Sequence, residues 1–315
     1  MAVPKLKTVT RTQGNNQALK DGSVVPVGFE LEFEDVPVLI DAFRGMVRGL
    51  EFDVCEMALT TYICARAHGK RMTALPIFLV RAFHHGAIVI NRDAGIQHPK
   101  DLEGRRVGVN RGYTVTTGLW ARSVLAQQYG VDLSKITWVL SGDEHVAEYR
   151  PPANVVPIEP GRKMAEMVIG GELAGAIGVE IDAPNVKPLI DNAAEAGYDA
   201  LRHSGHYPIN HLVVVKDALL AAHPGLGPAI FEAFAESKRR YVARLRAGAI
   251  DKPTAVDEVH RRVIDITGAD PLPYGIEPNR RMLEQAIASA AEQGIIERPV
   301  ALESLFPANT HSLVA

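Results

Sequence analysis

Cysteine is scarce in this chain: among 315 residues there are two, Cys55 and Cys64. They form no CxxC and no disulfide framework, and both fall in apolar stretches, so buried reduced thiols are expected. Long apolar runs are missing, and none approaches the ~20 residues of a membrane-spanning helix. There is no basic run, no basic–aromatic stripe and no acidic tail. With 23% charged residues and a net charge of -3, nothing marks a nucleic-acid partner. The sequence contains no GxxxxGK[ST], no GxGxxG after a strand, no GxSxG elbow and no HExxH, which argues against nucleotide cofactors and hydrolase triads. No cofactor, metal or membrane partner is therefore expected. The opening stretch MAVPKLKTVTRTQGNN is too polar for the apolar core of an export signal, roughly 7–15 residues, and the expectation is a cytoplasmic protein.

What is present is a large reserve of core-forming residues, 47% of the chain, over a length that suggests about two domains. Short β-rich runs alternate with helical periodicity. Strands are predicted at 7–10, 52–55, 87–91, 106–109, 137–140, 174–179 and 212–216. Helices are predicted at 37–48, 116–129, 163–169, 226–247, 253–267 and 278–294. This alternation predicts an α/β fold of parallel βαβ units with a helical C-terminus. The segment Met46–Val54 ends a helix, turns at a glycine and enters a strand; Met167–Gly175 does the same. That echo suggests two lobes of similar construction. Turn-rich residues after Asn91 and the run 206–210 read as two hinge crossings. They would place residues 1–92 and 210–315 in a first, discontinuous lobe and residues 93–209 in a second, with a ligand cleft between them. The C-terminal helices are a candidate surface for a homo-oligomer.

The strongest local signal follows the strand ending at Val109. Gly112 permits a tight turn, and Thr114, Thr116 and Thr117 stand at the start of a helix, where free N–H groups and the helix dipole favour an anion. Arg111 can add a bidentate contact to a carboxylate, and Tyr113 lies between them. The plainer alternative is a threonine N-cap. Arg81, His84 and His85 precede the first crossing, and His211 follows the second, with His206 just before it. Neighbouring residues in extended chain point to opposite faces, so His84 and His85 are not expected to share a metal. Nor does the dispersed spacing support a metal site from either of them with His211 and Glu56. Glu56 and Thr60 follow a strand in the first lobe, where ligand contacts gather in open α/β sheets. Glu180 and Asp182 hold the matching place in the second. The stretch 141–152 reads as a solvated polar loop, with Glu144 and His145 as candidates for the cleft or a subunit contact.

The segments RAFHHGAIVINRDAGI, KDLEGRRVGVNRGYTVTTGLWAR, TWVLSGDEHVAEYRPPANVVPIE and YPINHLVVVKDALLAAHP resemble the 4,5-dihydroxyphthalate decarboxylases, over a similarity running from about Phe43 to Tyr241. The resemblance implies a type II periplasmic-binding-protein-like fold. It also implies decarboxylation of a dihydroxylated aromatic dicarboxylate to protocatechuate and carbon dioxide by ring protonation. On that reading, Arg111, Thr116 and Thr117 hold the retained carboxylate. His84 or His85 is the acid, since imidazole titrates near neutrality, and Glu56 or His211 takes the phenolic proton. The competing expectation is a solute-binding protein that delivers an aromatic acid to a transporter. It would use the same fold and anion site.

Overall fold

The computed structural model describes residues 3–315. Among these the strands are, in chain order, β1 Lys5–Val9, β2 Glu30–Phe33, β3 Val54–Ala58, β4 Met72–Arg81, β5 Ile88–Asn91, β6 Arg106–Val109, β7 Thr137–Leu140, β8 Val155–Pro157, β9 Gly175–Ile177, β10 Val186–Pro188 and β11 Ile209–Lys216. They build two sheets, one in each of two compact units. Among the described residues, the first unit comprises 3–81, Ile209–Glu284 and Val300–Ala315; the second comprises Ala82–Pro208 and Gln285–Pro299. Residues 82–92 thus lie in the second unit, not with the first lobe as expected, because β5 pairs with β9 and β10. The two-crossing expectation also lacked the segment 285–299. It is tied to the second unit by Gln293, whose amide donates to Leu119 O and Ser123 Oγ, each at 3.1 Å.

In the first unit the strand order is β2-β1-β3-β11-β4. β1 runs parallel to β2 and β3, whereas β11 is antiparallel to both β3 and β4. The second sheet runs β10-β5-β9-β6-β7-β8, parallel from β9 to β8 and antiparallel at β5. The expectation of parallel units therefore needs correcting to mixed sheets. β5 and β11 each enter their sheet from a strand of the other unit and run against the strands they join. β4, the longest strand, was missed. Its MTALPIFLVR lacks period-2 alternation because it is buried on nearly every side.

The internal echo holds at backbone level. Leu50, at φ 49°, and Gly171, at φ 78°, take the same left-handed position after their helices, and β3 and β9 then begin at Val54 and Gly175. The left-handed residue in the first copy is leucine, not the glycine before it. In the second unit the helix Thr116–Tyr129 is buried continuously from Gly118 through Leu125. A helix apolar around most of its circumference belongs inside a domain. Trp120 there and Trp138 on β7 are completely buried; each aromatic of this kind removes ~150–250 Å² from water, about 4–6 kcal/mol at ~25 cal/mol per Å². Gly130, at φ 64°, closes the helix by donating to Ala126 O at 3.1 Å. No helix among the described residues is long and apolar enough to cross a membrane.

Candidate active site

Across β3 and β11, Glu56 stands opposite Val213 and Ala58 opposite His211. Opposed residues share a face of an antiparallel pair, as do residues two apart along one strand, so Glu56 and His211 are diagonal neighbours on one face. Their side chains meet: His211 Nδ1 lies 2.6 Å from Glu56 Oε1. The other carboxylate oxygen, Oε2, accepts the Arg11 amide at 2.8 Å. Arg11 follows β1, so the pair sits level with the carboxyl end of that strand. Glu56 is fully buried, whereas the His211 side chain keeps 20% of its surface exposed. The Phe43 ring packs edge-on against the imidazole at 5.3 Å. His211 Nε2 has no hydrogen-bond partner among the described residues. A buried carboxylate that orients one ring nitrogen and leaves the other available is an arrangement that can serve as a general base.

Arg11 also lines a cavity of about 420 Å³ whose wall includes Thr10, Lys20, Phe33, Asp35 and Leu39. Lys20 Nζ donates to Thr10 O at 2.7 Å and sits 4.2 Å above the Phe33 ring. Burial pulls its ammonium below the ordinary lysine value, against the attraction of Glu56 and Asp35. Of the other residues expected in the first unit, Thr60 is buried in the first turn of the helix Leu59–Ala67, and Arg81, at the end of β4, donates to the Asn279 side chain.

In the second unit the turn at 111–115 departs from expectation. The Glu144 carboxylate accepts hydrogen bonds from the Tyr113 amide, the Thr114 amide at 3.2 Å and the Thr114 hydroxyl at 2.7 Å. The protein's own carboxylate therefore fills half of the anticipated anion site, and Tyr113 and Thr114 are spent on it. A Cβ at Gly112 would lie 2.5 Å from a Glu144 carboxylate oxygen, so any side chain there would displace that carboxylate. The loop 141–152 is not simply solvated: His145, Val146 and Tyr149 are buried. Arg111 takes a left-handed backbone at φ 68°, a strained choice for a non-glycine residue. Its guanidinium, partly desolvated, makes no ion pair among the described residues. No threonine side chain caps the helix, whose N-cap is Val115; Thr116 is buried and Thr117 half-buried. Glu144→Ala is expected to destabilise the second unit by about 1–3 kcal/mol through the orphaned amides, read as a lowered midpoint in urea unfolding.

His84 and His85 are buried in the second unit, His84 with burial and the neighbouring His206 and His85 pushing its pKa down to about 3. A group so reluctant to protonate is a poor carrier of the acid proton near neutral pH. His85 is also lowered by burial, and its Nε2 is engaged at 2.9 Å by Gln128 Oε1. His206 packs edge-on against Trp120 at 5.8 Å and His85 at 6.3 Å. These histidines are packed among aromatics as core. Glu180 and Asp182 are exposed beyond β9, and the place corresponding to Glu56 is taken by buried Ile177. Sequence reading missed Arg11 and Phe43, since a backbone amide leaves no compositional trace. It also missed Arg122, fully buried, which donates to Tyr113 O at 2.8 Å and stacks 3.8 Å from the Tyr113 ring. An arginine on the buried face of a helix was the available signal.

Mixed α/β sheets of this order define a type II periplasmic-binding-protein-like fold. Two solved structures share it over nearly the whole chain. The alkanesulfonate-binding protein SsuA from Xanthomonas axonopodis pv. citri, bound to MOPS, has a TM-score of 0.54 at 14% identity, covering 98% of this chain and 99% of that one. The desulfurization enzyme DSZB, in a mutant form in complex with biphenyl-2-sulfinic acid, has a TM-score of 0.55 at 15% identity, covering 97% and 96%. In sequence, residues 53–151 match the NMT1/THI5 like family model. The chain is similar to the 4,5-dihydroxyphthalate decarboxylases: it is 29% identical to that of Comamonas testosteroni, over 86% of this chain and 87% of the relative. It is 34% identical to that of Pseudomonas putida, over 44% of this chain and 56% of the relative.

Proposed function

We propose that this protein decarboxylates 4,5-dihydroxyphthalate, or a closely related hydroxylated aromatic dicarboxylate, to protocatechuate and carbon dioxide. The observation that carries this reading is the Glu56–His211 pair, 2.6 Å apart, with one imidazole nitrogen uncommitted. In the proposed step, His211 Nε2 accepts the proton of the ring hydroxyl para to the departing carboxylate. The phenolate electron pair moves into the ring, and the carbon bearing that carboxylate takes a proton. The bond to carboxylate then breaks, and its electron pair restores aromaticity. Per turnover one solvent proton replaces one carbon dioxide, and the phenolic proton returns from His211. Glu56 holds the Nδ1 proton and offsets the positive charge formed on the ring. In the second unit, Arg111 and the amides that open the helix Thr116–Tyr129 are the proposed hold for a carboxylate, since Tyr113 and Thr114 already serve Glu144.

The solute-binding proteins that share the fold favour a second reading, a receptor for an aromatic acid. A fold hosts both kinds of protein, so the site must decide. Purified protein mixed with 4,5-dihydroxyphthalate should release carbon dioxide catalytically and form protocatechuate. Saturable binding without release would establish the receptor reading instead.

A further inference from the structure

The first unit holds a second cavity, of about 540 Å³, within the size range of small-molecule sites. Its wall comes from residues 11–15 after β1, the end of β4 and two helices, Leu226–Arg246 and Ala255–Thr267. Arg11, Arg81 and Arg244 all line it. Arg81 is buried and donates to Asn279, while Arg11 and Arg244 make no ion pair among the described residues. The wall's carboxylate, Asp257, is already committed. Its Oδ2 accepts from the Thr254 amide at 2.7 Å and the Thr254 hydroxyl at 2.8 Å, and its Oδ1 accepts from the Tyr241 hydroxyl at 2.6 Å. The cavity is therefore left positively charged.

The same network fixes the state of a buried histidine. Tyr241 has one hydroxyl proton and gives it to Asp257. The 2.8 Å contact between the Tyr241 oxygen and His260 Nδ1 then requires Nδ1–H to be the donor. Burial pushes His260 down to about 4, so near neutral pH its Nε2 is an unprotonated acceptor, with no partner among the described residues. Two further wall atoms, Gln13 Nε2 and Asn15 Oδ1, are buried without a hydrogen bond, a rare condition that calls for a polar guest. Leu79, Ile250 and Val256 supply apolar surface.

We propose that this cavity is a binding site for a small hydroxylated aromatic carboxylate. Its carboxylate rests on Arg244 and Arg11, its ring lies against Leu79, Ile250 and Val256, and its hydroxyl donates to His260 Nε2. The site does not depend on the activity proposed for Glu56 and His211. Arg11 serves both walls, so Arg244 and Val256 carry the test.

The full chain is titrated calorimetrically with 4-hydroxybenzoate and with benzoate. Saturable binding of 4-hydroxybenzoate is expected, about tenfold tighter than that of benzoate. Arg244→Ala should weaken both by at least about tenfold, and Val256→Trp should block both. Val256 is 57% exposed, so that variant leaves the core intact. His260→Phe should erase the preference for the hydroxylated probe, and His211→Ala should leave this binding unchanged. Binding that survives both Arg244→Ala and Val256→Trp, binding lost in His211→Ala, or no saturable binding in the millimolar range would overturn the proposal.

Discussion

Replacing His211 with alanine is expected to slow carbon dioxide release from 4,5-dihydroxyphthalate by about 10²–10⁴-fold, the contribution of a positioned general base. The loss should fall on kcat, because the proton transfer is made in the transition state and not in ground-state binding. Glu56→Gln keeps an oxygen on His211 Nδ1 and on the Arg11 amide but removes the charge that stabilises the imidazolium, so an intermediate loss in kcat is expected. Both variants should fold, as judged by far-UV circular dichroism. The imidazole of His211 lies at the edge of the core, 20% exposed, and glutamine matches the shape of Glu56. Wild-type turnover in His211→Ala would remove the pair from the chemistry. His84→Asn, by contrast, should retain activity at neutral pH, since the native His84 carries no proton there to donate.

A second large effect is expected in stability against pH. His84, in the second unit, is lowered to about 3, and His260, in the first, to about 4, each mainly by burial from an ordinary value of 6.5. Both are therefore neutral in the folded protein. In the unfolded chain each binds a proton below about pH 6.5, so the unfolded state takes up more protons and stability falls as the solution is acidified. Full stability is present above pH 6.5 and is lost progressively down to the folded values. At pH 5 the loss is about 2 kcal/mol for each histidine, from 1.36 kcal/mol per pKa unit. Urea unfolding between pH 7 and 5 should show this decline before carboxylates contribute. His84→Asn should remove its share from the second unit's transition. A flat profile over that window would contradict the burial of both rings.

The elements themselves were largely legible. The helix Thr116–Tyr129 and the strands β6 and β7 stand where the sequence places them, because each is bounded by a local signal: a glycine turn, a left-handed cap, a change of period. β4 was not legible, since a strand buried on both faces loses the alternation that would identify it. The candidate site was legible in part. Glu56 and His211 were singled out separately from their places near strand ends. The burial of His84 and His85 was not legible, because it is decided by what packs over them, among it His206 and Trp120.

The amino-acid sequence by itself determined the mixed helix and strand content, the repeated helix–turn–strand unit and the resemblance to the 4,5-dihydroxyphthalate decarboxylases. All of these are written in local spacing or in runs of residue identity. Tertiary structure alone decided which polar groups meet. Glu56 and His211 are 155 positions apart and become partners through the antiparallel register of β3 and β11. Glu144 reaches back about thirty positions to occupy part of the turn expected to hold an anion. A buried carboxylate must find donors wherever the packed chain supplies them, and spacing along the sequence carries no record of that choice.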